Sequence, residues 1–339
     1  MYRKIMDFLE TWKENEHRKP LILQGARQVG KTYSILEFGR THYENVVYFN
    51  FETNPKLNET FEEDISPDYL IPILSHIAGQ TIVKEKTLIV FDEVQLCERA
   101  LTSLKYFCED APDYHIIVAG SLLGVAVNRA KFSFPVGKVD MKTLYPMDME
   151  EFLLALGEDD LVERIKKFGL VHMLVIEALH DAAMQLYRQY LVAGGMPECV
   201  MQFVQTGDYI LIRHTQDTIL TSYLNDMSKY NNLNEIKKTR LAYDNITVQL
   251  SKKNTRFQYK LIKKGGRASE FENAIEWLCL SGIVAQVYKV EQIRKPLENY
   301  RDIDAFKIYV SDLGLLCAKK DLAANDILYM VEEIDDFKG

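Results

Sequence analysis

Residues 24–33 read QGARQVGKTY, and this stretch decides the fold. It contains the full pattern GxxxxGK[ST], with glycines at 25 and 30 followed by Lys31 and Thr32. A short apolar run of strand length, PLILQ, precedes it, and a helical stretch at 32–39 follows it. The glycines would let backbone amides wrap a phosphate, and the helix would point its positive end at the same group. The stretch therefore predicts a phosphate-binding loop.

Roles for the loop residues follow from this pattern. We expect Lys31 to bridge the β- and γ-phosphates and to act in catalysis, and the Thr32 hydroxyl to bind Mg²⁺. Nucleotide contact is predicted for the whole run, which comprises Gly25, Ala26, Arg27, Gln28, Val29, Gly30, Lys31, Thr32 and Tyr33.

A second motif, LIVFDE at 88–93, has the form of a buried strand that ends in two carboxylates. The carboxyl ends of parallel strands open into the crevice where ligands bind. Asp92 is predicted to hold Mg²⁺, and Glu93 to activate the attacking water as general base. The second carboxylate favours ATP hydrolysis over slow GTP turnover. The alternative is an acidic pair that merely opens a loop.

Further residues were considered for contact with the γ-phosphate. Ser121 ends the stretch VAGS and is predicted to act in catalysis as a sensor, although a Gly-Ser helix start explains it equally well. Gln95 follows Asp92 by three residues and could face the same phosphate. An arginine finger is not fixed by the sequence: Arg129 and Lys138 are the nearest basic candidates.

The chain alternates strands and helices up to about residue 148, which predicts a mainly parallel sheet with right-handed crossovers. From Met149 onward the pattern is helical, and a strand pair follows near the end. The prediction is an α/β P-loop NTPase core with helical and winged-helix-like domains, at 1–148, 149–235 and 236–339. Predicted strands lie at 20–24, 46–52, 88–93, 115–121, 137–144, 284–290 and 306–310.

Composition limits the class of protein. The chain has 339 residues, 47% of them hydrophobic and 27% charged, as is typical of a globular protein with a sizeable core. No apolar run approaches membrane-spanning length, and the charged N-terminus is not a secretory signal. The five scattered cysteines indicate neither a zinc site nor a disulfide framework. A cytoplasmic protein without membrane contact is expected.

Positive charge is concentrated in one window. Residues 229–267 carry eleven Lys or Arg against two acidic residues, giving +9 in a chain whose net charge is −8. The stretch 267–290 reads as a helix, with Ser269 as its N-cap, a stop at Ser281-Gly282 and a strand, as in a winged helix. DNA binding through 229–267, docking of a protein partner and purely structural packing all stay open, because the exposed helix face is acidic.

The motifs GARQVGKT, FDEVQ, AGSLLGV, LYPMDMEEFL and YLVAGGMPECV together resemble a prokaryotic family of AAA+-like ATPases with a C-terminal domain of unknown function. The resemblance covers nearly the whole chain. It implies a core of the ASCE or AAA+ type, in which an extra strand lies between the strand at 20–24 and the strand at 88–93. VVYFNFE at 46–52 fits the role of this extra strand. It also implies ATP with Mg²⁺, and carries over Lys31, Thr32, Asp92, Glu93 and Ser121. Relatives run on into a nuclease-like segment that has no counterpart here, so no nuclease activity is expected.

Two functions from different classes follow. The first is an ATP-hydrolysing switch or motor that couples nucleotide state to a partner or nucleic acid. Assembly of the protein into homo-oligomers is compatible with this function. The alternative is a slow nucleotide-dependent DNA-binding or docking module without significant turnover. A small-molecule kinase would need a lid of clustered arginines, which the sequence lacks. The GGMP stretch at 194–197 is interpreted as a tight helix break.

Overall fold

The fold was analysed in a computed structural model, which describes residues 1–120, 134–171, 177–229, 233–252 and 256–329. The chain divides into two compact units, residues 2–145 and residues 146–339. The further division of the second unit into a helical and a winged-helix-like domain stays a prediction.

The first unit is built on a five-stranded parallel sheet, as predicted. Its helices are α1 (Ile5–Glu14), α2 (Lys31–His42), α3 (Leu57–Glu63), α4 (Pro67–Ala78) and α5 (Glu98–Asp110). Its strands are β1 (Leu21–Gln24), β2 (Asn45–Asn50), β3 (Thr87–Asp92), β4 (His115–Gly120) and β5 (Asp140–Thr143). All strand pairs are parallel, so the strands end at one common edge.

The strands lie in the order β2-β3-β4-β1-β5. β4 therefore separates β1, which ends at the glycine loop, from β3, which ends in Asp92. The expectation that VVYFNFE fills this central position was wrong, because the strand it forms, β2, lies at the edge. Burial gives the reason: all six residues of β4 are buried, whereas β2 alternates and exposes Tyr48. A strand at the edge of a sheet with one face covered alternates buried and exposed residues, whereas a central strand with both faces covered is buried throughout.

An apolar core packs against one face of this sheet. Its members include the rings of Phe49, Phe51, Phe61 and Phe91, which contact one another at centroid distances of 5.6 to 6.0 Å. β3 is buried along its whole length. Both faces of β3 are therefore fixed by packing, and so is the position of the two carboxylates at its end.

The second unit begins with helices. They are α6 (Met149–Ala155), α7 (Asp159–Val171), α8 (Glu177–Ala193), α9 (Pro197–Thr206), α10 (Tyr209–Lys229) and α11 (Leu233–Leu250). The predicted helix break at Gly194-Gly195 is confirmed, since α8 ends just before it and α9 starts just after it. The break is closely packed: a Cβ on Gly195 would lie 2.0 Å from the carbonyl oxygen of Met147. The buried Asp312 carboxylate accepts the Gly195 N–H at 2.6 Å.

The remainder of the second unit contains the strand pair. It comprises α12 (Tyr259–Ile262), α13 (Ala268–Leu280), β6 (Val284–Val290), β7 (Arg301–Val310), α14 (Leu313–Lys319) and α15 (Ala324–Leu328). The strands β6 and β7 form an antiparallel hairpin. The prediction of Ser269 as N-cap was wrong, because α13 starts one residue earlier and Arg267 occupies the cap position. The predicted stop is confirmed, with Ser281 as C-cap.

Within the residues that the structure describes, no helix combines the length and the apolar character needed to cross a membrane.

Candidate functional site

The glycine loop joins the C-terminal end of β1 to the first turn of α2. Three of its residues have left-handed or related backbone angles, with φ of 147° at Gly25, 67° at Gln28 and 90° at Gly30. A Cβ on Gly25 would lie 2.1 Å from the Leu144 carbonyl oxygen, so no side chain fits there. Such a concave run of backbone, placed before a helix N-terminus, is suited to an anion.

The Lys31 side chain folds back into this loop. Its Nζ donates to the carbonyl oxygens of Gly25 at 2.9 Å and Ala26 at 2.8 Å. The residue is buried, and burial lowers the pKa of its ammonium group to about 8, against the attraction of Glu93 and Asp92. A buried cation held by two neutral carbonyl acceptors can exchange them for the charged oxygens of a phosphate.

Asp92 and Thr32 lie side by side, as the sequence predicts for a shared metal site. The Thr32 hydroxyl donates to Asp92 Oδ2 at 2.8 Å. A hydroxyl and a carboxylate are hard oxygen ligands of the kind that Mg²⁺ prefers, usually together with water and phosphate. The donor set therefore fits Mg²⁺ bound with a nucleotide.

Tyr48 is a member of this site that the sequence did not reveal. Its hydroxyl donates to the same Asp92 oxygen at 2.7 Å and accepts from Asn50 Nδ2 at 3.1 Å. Burial is the main cause that raises the pKa of Tyr48 to about 12; the Asp92 carboxylate adds to this effect, whereas the hydrogen bond from Asn50 opposes it. No local pattern in the sequence indicates this contact, because it depends on the pairing of β2 with β3, which places Asn50 opposite Asp92.

Glu93 follows Asp92 in a left-handed conformation, with φ of 52°. Burial, as the main cause, raises the pKa of its carboxyl group, and the nearby Asp92 adds to this effect. Gln95 Nε2 donates to Glu93 Oε2, which works in the opposite direction. Gln95 Oε1 is buried and has no hydrogen-bond partner among the described residues. The predicted contact of Gln95 with a γ-phosphate stays a prediction, but its side chain is placed beside Glu93.

A second feature that sequence reasoning missed is Arg3. Its buried guanidinium donates to the carbonyl oxygens of Val29 at 3.0 Å and Tyr145 at 2.8 Å. The N-terminal segment thus fixes the back of the glycine loop. A lone arginine ahead of an amphipathic helix carries no motif that would have indicated this.

The remaining predicted residues vary in placement. Tyr33 is 61% exposed in the first turn of α2. Lys138 precedes β5, so it lies at the sheet edge opposite the loop, where it pairs with Glu109 at 2.8 Å. Ser121 and Arg129 lie outside the described residues, so their sensor and finger roles stay predictions.

Together, the strand order and the loop between β1 and α2 define the class as P-loop NTPases. Comparison with protein families then refines this assignment: residues 17–153 match an AAA domain, and residues 184–326 match a domain of unknown function (DUF8612). The chain thus combines an AAA domain with a C-terminal domain of unknown function, which confirms the resemblance stated above.

A solved structure of similar fold supports this architecture, and a second one matches over a similar length of chain. The Walker-type ATPase PABY2304 of Pyrococcus abyssi is 14% identical, with a TM-score of 0.58, and the match covers 94% of this chain and 95% of that one. The ORC2 protein of Aeropyrum pernix is 11% identical, with a TM-score of 0.48, over 97% and 95% of the two chains. Among curated proteins, none matches the chain.

Proposed function

We propose that the protein binds ATP and hydrolyses it with Mg²⁺, and that its nucleotide state controls the second unit as a molecular switch or motor. One observation carries this proposal: Lys31, Thr32, Asp92 and Glu93 meet at the glycine loop at the end of β1 and β3. Thr32 and Asp92 are separated by 60 residues in the chain. The parallel sheet brings these two parts of the sequence together.

Phosphate binding is the first step of the proposed reaction. The loop carbonyls of Gly25 and Ala26 hold the Lys31 ammonium where an incoming anion would meet it. A phosphate oxygen would replace these neutral acceptors with a charged one, which makes a stronger hydrogen bond. Thr32 and Asp92 would hold Mg²⁺, which, when bound, neutralises phosphate charge.

Water activation falls to Glu93 in this proposal. Burial makes its carboxylate a better base than an exposed glutamate, because the charged form is destabilised. Gln95 orients this carboxylate through its amide N–H, and the partnerless Oε1 of the same amide can accept a hydrogen bond from the water. Glu93 would take a proton from that water as it attacks the γ-phosphorus.

Tyr48 is the proposed positioning residue for Asp92. Its hydroxyl and that of Thr32 donate to the same carboxylate oxygen. A nucleotide-bound metal would compete for Thr32, whereas Tyr48 would keep the carboxylate in place.

The decisive experiment compares ATP binding and turnover in the wild type, Glu93→Gln and Lys31→Ala. Glu93→Gln should bind ATP normally and lose turnover by a factor of about 10² to 10⁴, because the general base is gone. Lys31→Ala should lose binding itself. Unchanged turnover in Glu93→Gln would sink the assignment of Glu93 and weaken the enzyme proposal as a whole.

A slow nucleotide-dependent docking module remains the second candidate. The observation that favours it is the resting arrangement, in which Lys31 and Glu93 are both held by partners of their own chain. Single-turnover rates separate the two, since a docking module would show tight ATP binding with negligible hydrolysis. Turnover is measured at several protein concentrations, which tests for self-association. The same measurement with and without DNA tests whether DNA changes the rate of turnover.

A further inference from the structure

The hairpin of β6 and β7 carries a pocket of its own, of about 430 Å³, in the second unit. We call it the hairpin pocket and define it by Arg256, Val287, Lys289, Ala305, Lys307 and Tyr309. This volume is within the range of small-molecule sites and much larger than a lone phosphate needs.

The charge of the lining is one-sided. Three of the residues that line the pocket are cationic and none is acidic, in a chain with 49 acidic and 41 basic residues. Lys289 and Lys307 form no ion pair with any described residue, although exposed lysines elsewhere on the chain do. Arg256 is held beside β7 by a hydrogen bond from Nη2 to the Asp304 carbonyl oxygen at 2.9 Å. The lining of the pocket is therefore basic, although Asp302 lies opposite Lys289 across the hairpin, outside the lining.

The floor of the pocket is apolar and aromatic. Val287 pairs with Lys307 across the hairpin and Ala285 pairs with Tyr309, so Val287, Lys307 and Tyr309 share one face. Val287 is 51% exposed on this face. Beneath it, Phe306 contacts the rings of Phe257, Tyr259 and Tyr288, which makes the hairpin rigid. A flat apolar floor beside lysines fits a ligand that is planar and negatively charged at once.

We propose that the hairpin pocket binds single-stranded nucleic acid, with phosphates at Lys289, Lys307 and Arg256 and an unstacked base against Tyr309 and Val287. Base stacking on aromatic rings and backbone contact with cations are the general means of binding single strands. A duplex would offer the phosphates but keep its bases stacked away from the floor. The three cations come from three separate backbone segments on an open face, which suits a strand better than a free nucleotide. This inference goes beyond the proposed ATPase function and does not rest on it.

The test is fluorescence anisotropy of a labelled oligothymidylate of about 12 nucleotides. It uses the full chain without ATP, so failure of the ATPase proposal would not affect it. The comparison pairs Lys289→Ala/Lys307→Ala with Lys260→Ala/Lys264→Ala, which removes the same charge from the basic window 229–267. We expect the pocket double variant to bind about tenfold more weakly at low salt. Its slope of log K against log salt should be smaller by about 1.4, because each lost phosphate contact contributes about 0.7. The window variant should bind like the wild type.

Tyr309 provides an independent readout of stacking. Tyr309→Phe should bind normally, and Tyr309→Leu should lose about 5-fold to 100-fold in affinity. Melting temperatures of all variants show whether the hairpin is intact. If Tyr309→Leu does not fold, the affinity of the double variant Lys289→Ala/Lys307→Ala decides whether the proposal holds.

Several results would overturn the proposal. They are the absence of binding at about 50 mM salt, an equal loss in the two double variants, and equal affinity for a blunt duplex. Displacement of the strand by polyglutamate at matched charge would assign the pocket to an acidic protein partner instead. Displacement by a free mononucleotide at similar concentration would assign it to a small molecule.

Discussion

The hydroxyl of Tyr48 lies 2.7 Å from Oδ2 of Asp92, so the edge strand β2 supplies a hydrogen bond to the carboxylate at the end of β3. Tyr48→Phe removes that bond and the hydrogen bond that the hydroxyl accepts from Asn50, and it keeps the ring. Hydrogen bonds to charged groups contribute about 1.5–3 kcal/mol, so we expect turnover to fall about tenfold. The Mg²⁺ concentration for half-maximal rate should rise while ATP affinity changes little.

Tyr106→Phe is the matched control for this change, because its hydroxyl lies on α5 away from the loop. Steady-state rates over a range of Mg²⁺ check the prediction. Equal Mg²⁺ dependence in Tyr48→Phe and the wild type would show that Tyr48 is only structural.

Gln95→Met keeps the length of the side chain but removes both its donor and its acceptor. We expect turnover to fall about tenfold or more, with ATP binding unchanged, because Glu93 and the water lose their partner. The hydrogen bond from Gln95 lowers the pKa of Glu93, so its removal should raise that pKa further. The acid limb of the rate profile should therefore move to higher pH. If the acid limb of the rate profile does not move, the hydrogen bond from Gln95 does not determine the pKa of Glu93.

ATP binding should depend on pH through Lys31. Because burial lowers its pKa to about 8, its positive charge is lost as pH rises through that value rather than near 10.5. Phosphate groups are fully ionised in this range. The dissociation constant for ATP should therefore rise about fivefold between pH 8 and pH 9 and about tenfold more between pH 9 and pH 10. Calorimetric titration at constant ionic strength measures it, and a constant affinity up to pH 10 would mean that the loop does not desolvate Lys31.

Gly195→Ala tests the packing of the second unit. The new Cβ would meet the Met147 backbone, and moving Gly195 away would break its N–H bond to the buried Asp312 carboxylate. We expect the free energy of unfolding to fall by about 3 kcal/mol. Gly207→Ala is the control: its φ is 62° but nothing lies within 4 Å, so only backbone strain of about 1 kcal/mol applies. Urea unfolding compares them, and similar losses would show that the contact is unimportant.

The sequence was most informative where a short motif is compatible with only one backbone conformation. The loop from Gly25 to Thr32 and the carboxylates after β3 could be placed because glycine spacing and an apolar run each have few structural solutions. Strand order was harder. Both β2 and β4 are apolar, and only the alternation in β2 against the complete burial of β4 distinguishes an edge strand from a central one.

Side-chain partners from distant segments were not predictable in this way. Tyr48 reaches Asp92 only because β2 and β3 are in register, and Arg3 reaches Val29 from the N-terminal segment ahead of α1. Neither contact leaves a local pattern. The cap of α13 failed for a related reason, since tertiary packing started the helix at Ala268 before the better capping residue Ser269.

The contact of Gly25 with the Leu144 carbonyl has a mechanical consequence. Arg3 also ties Val29 to Tyr145, so both ends of the glycine loop touch the last two residues of the first unit. A ligand that reshapes the loop must displace the peptide group at that point, and the following residues continue directly into the second unit. We therefore expect a change in the shape of the loop to reach the second unit through the covalent chain, since Tyr145 is joined directly to Pro146.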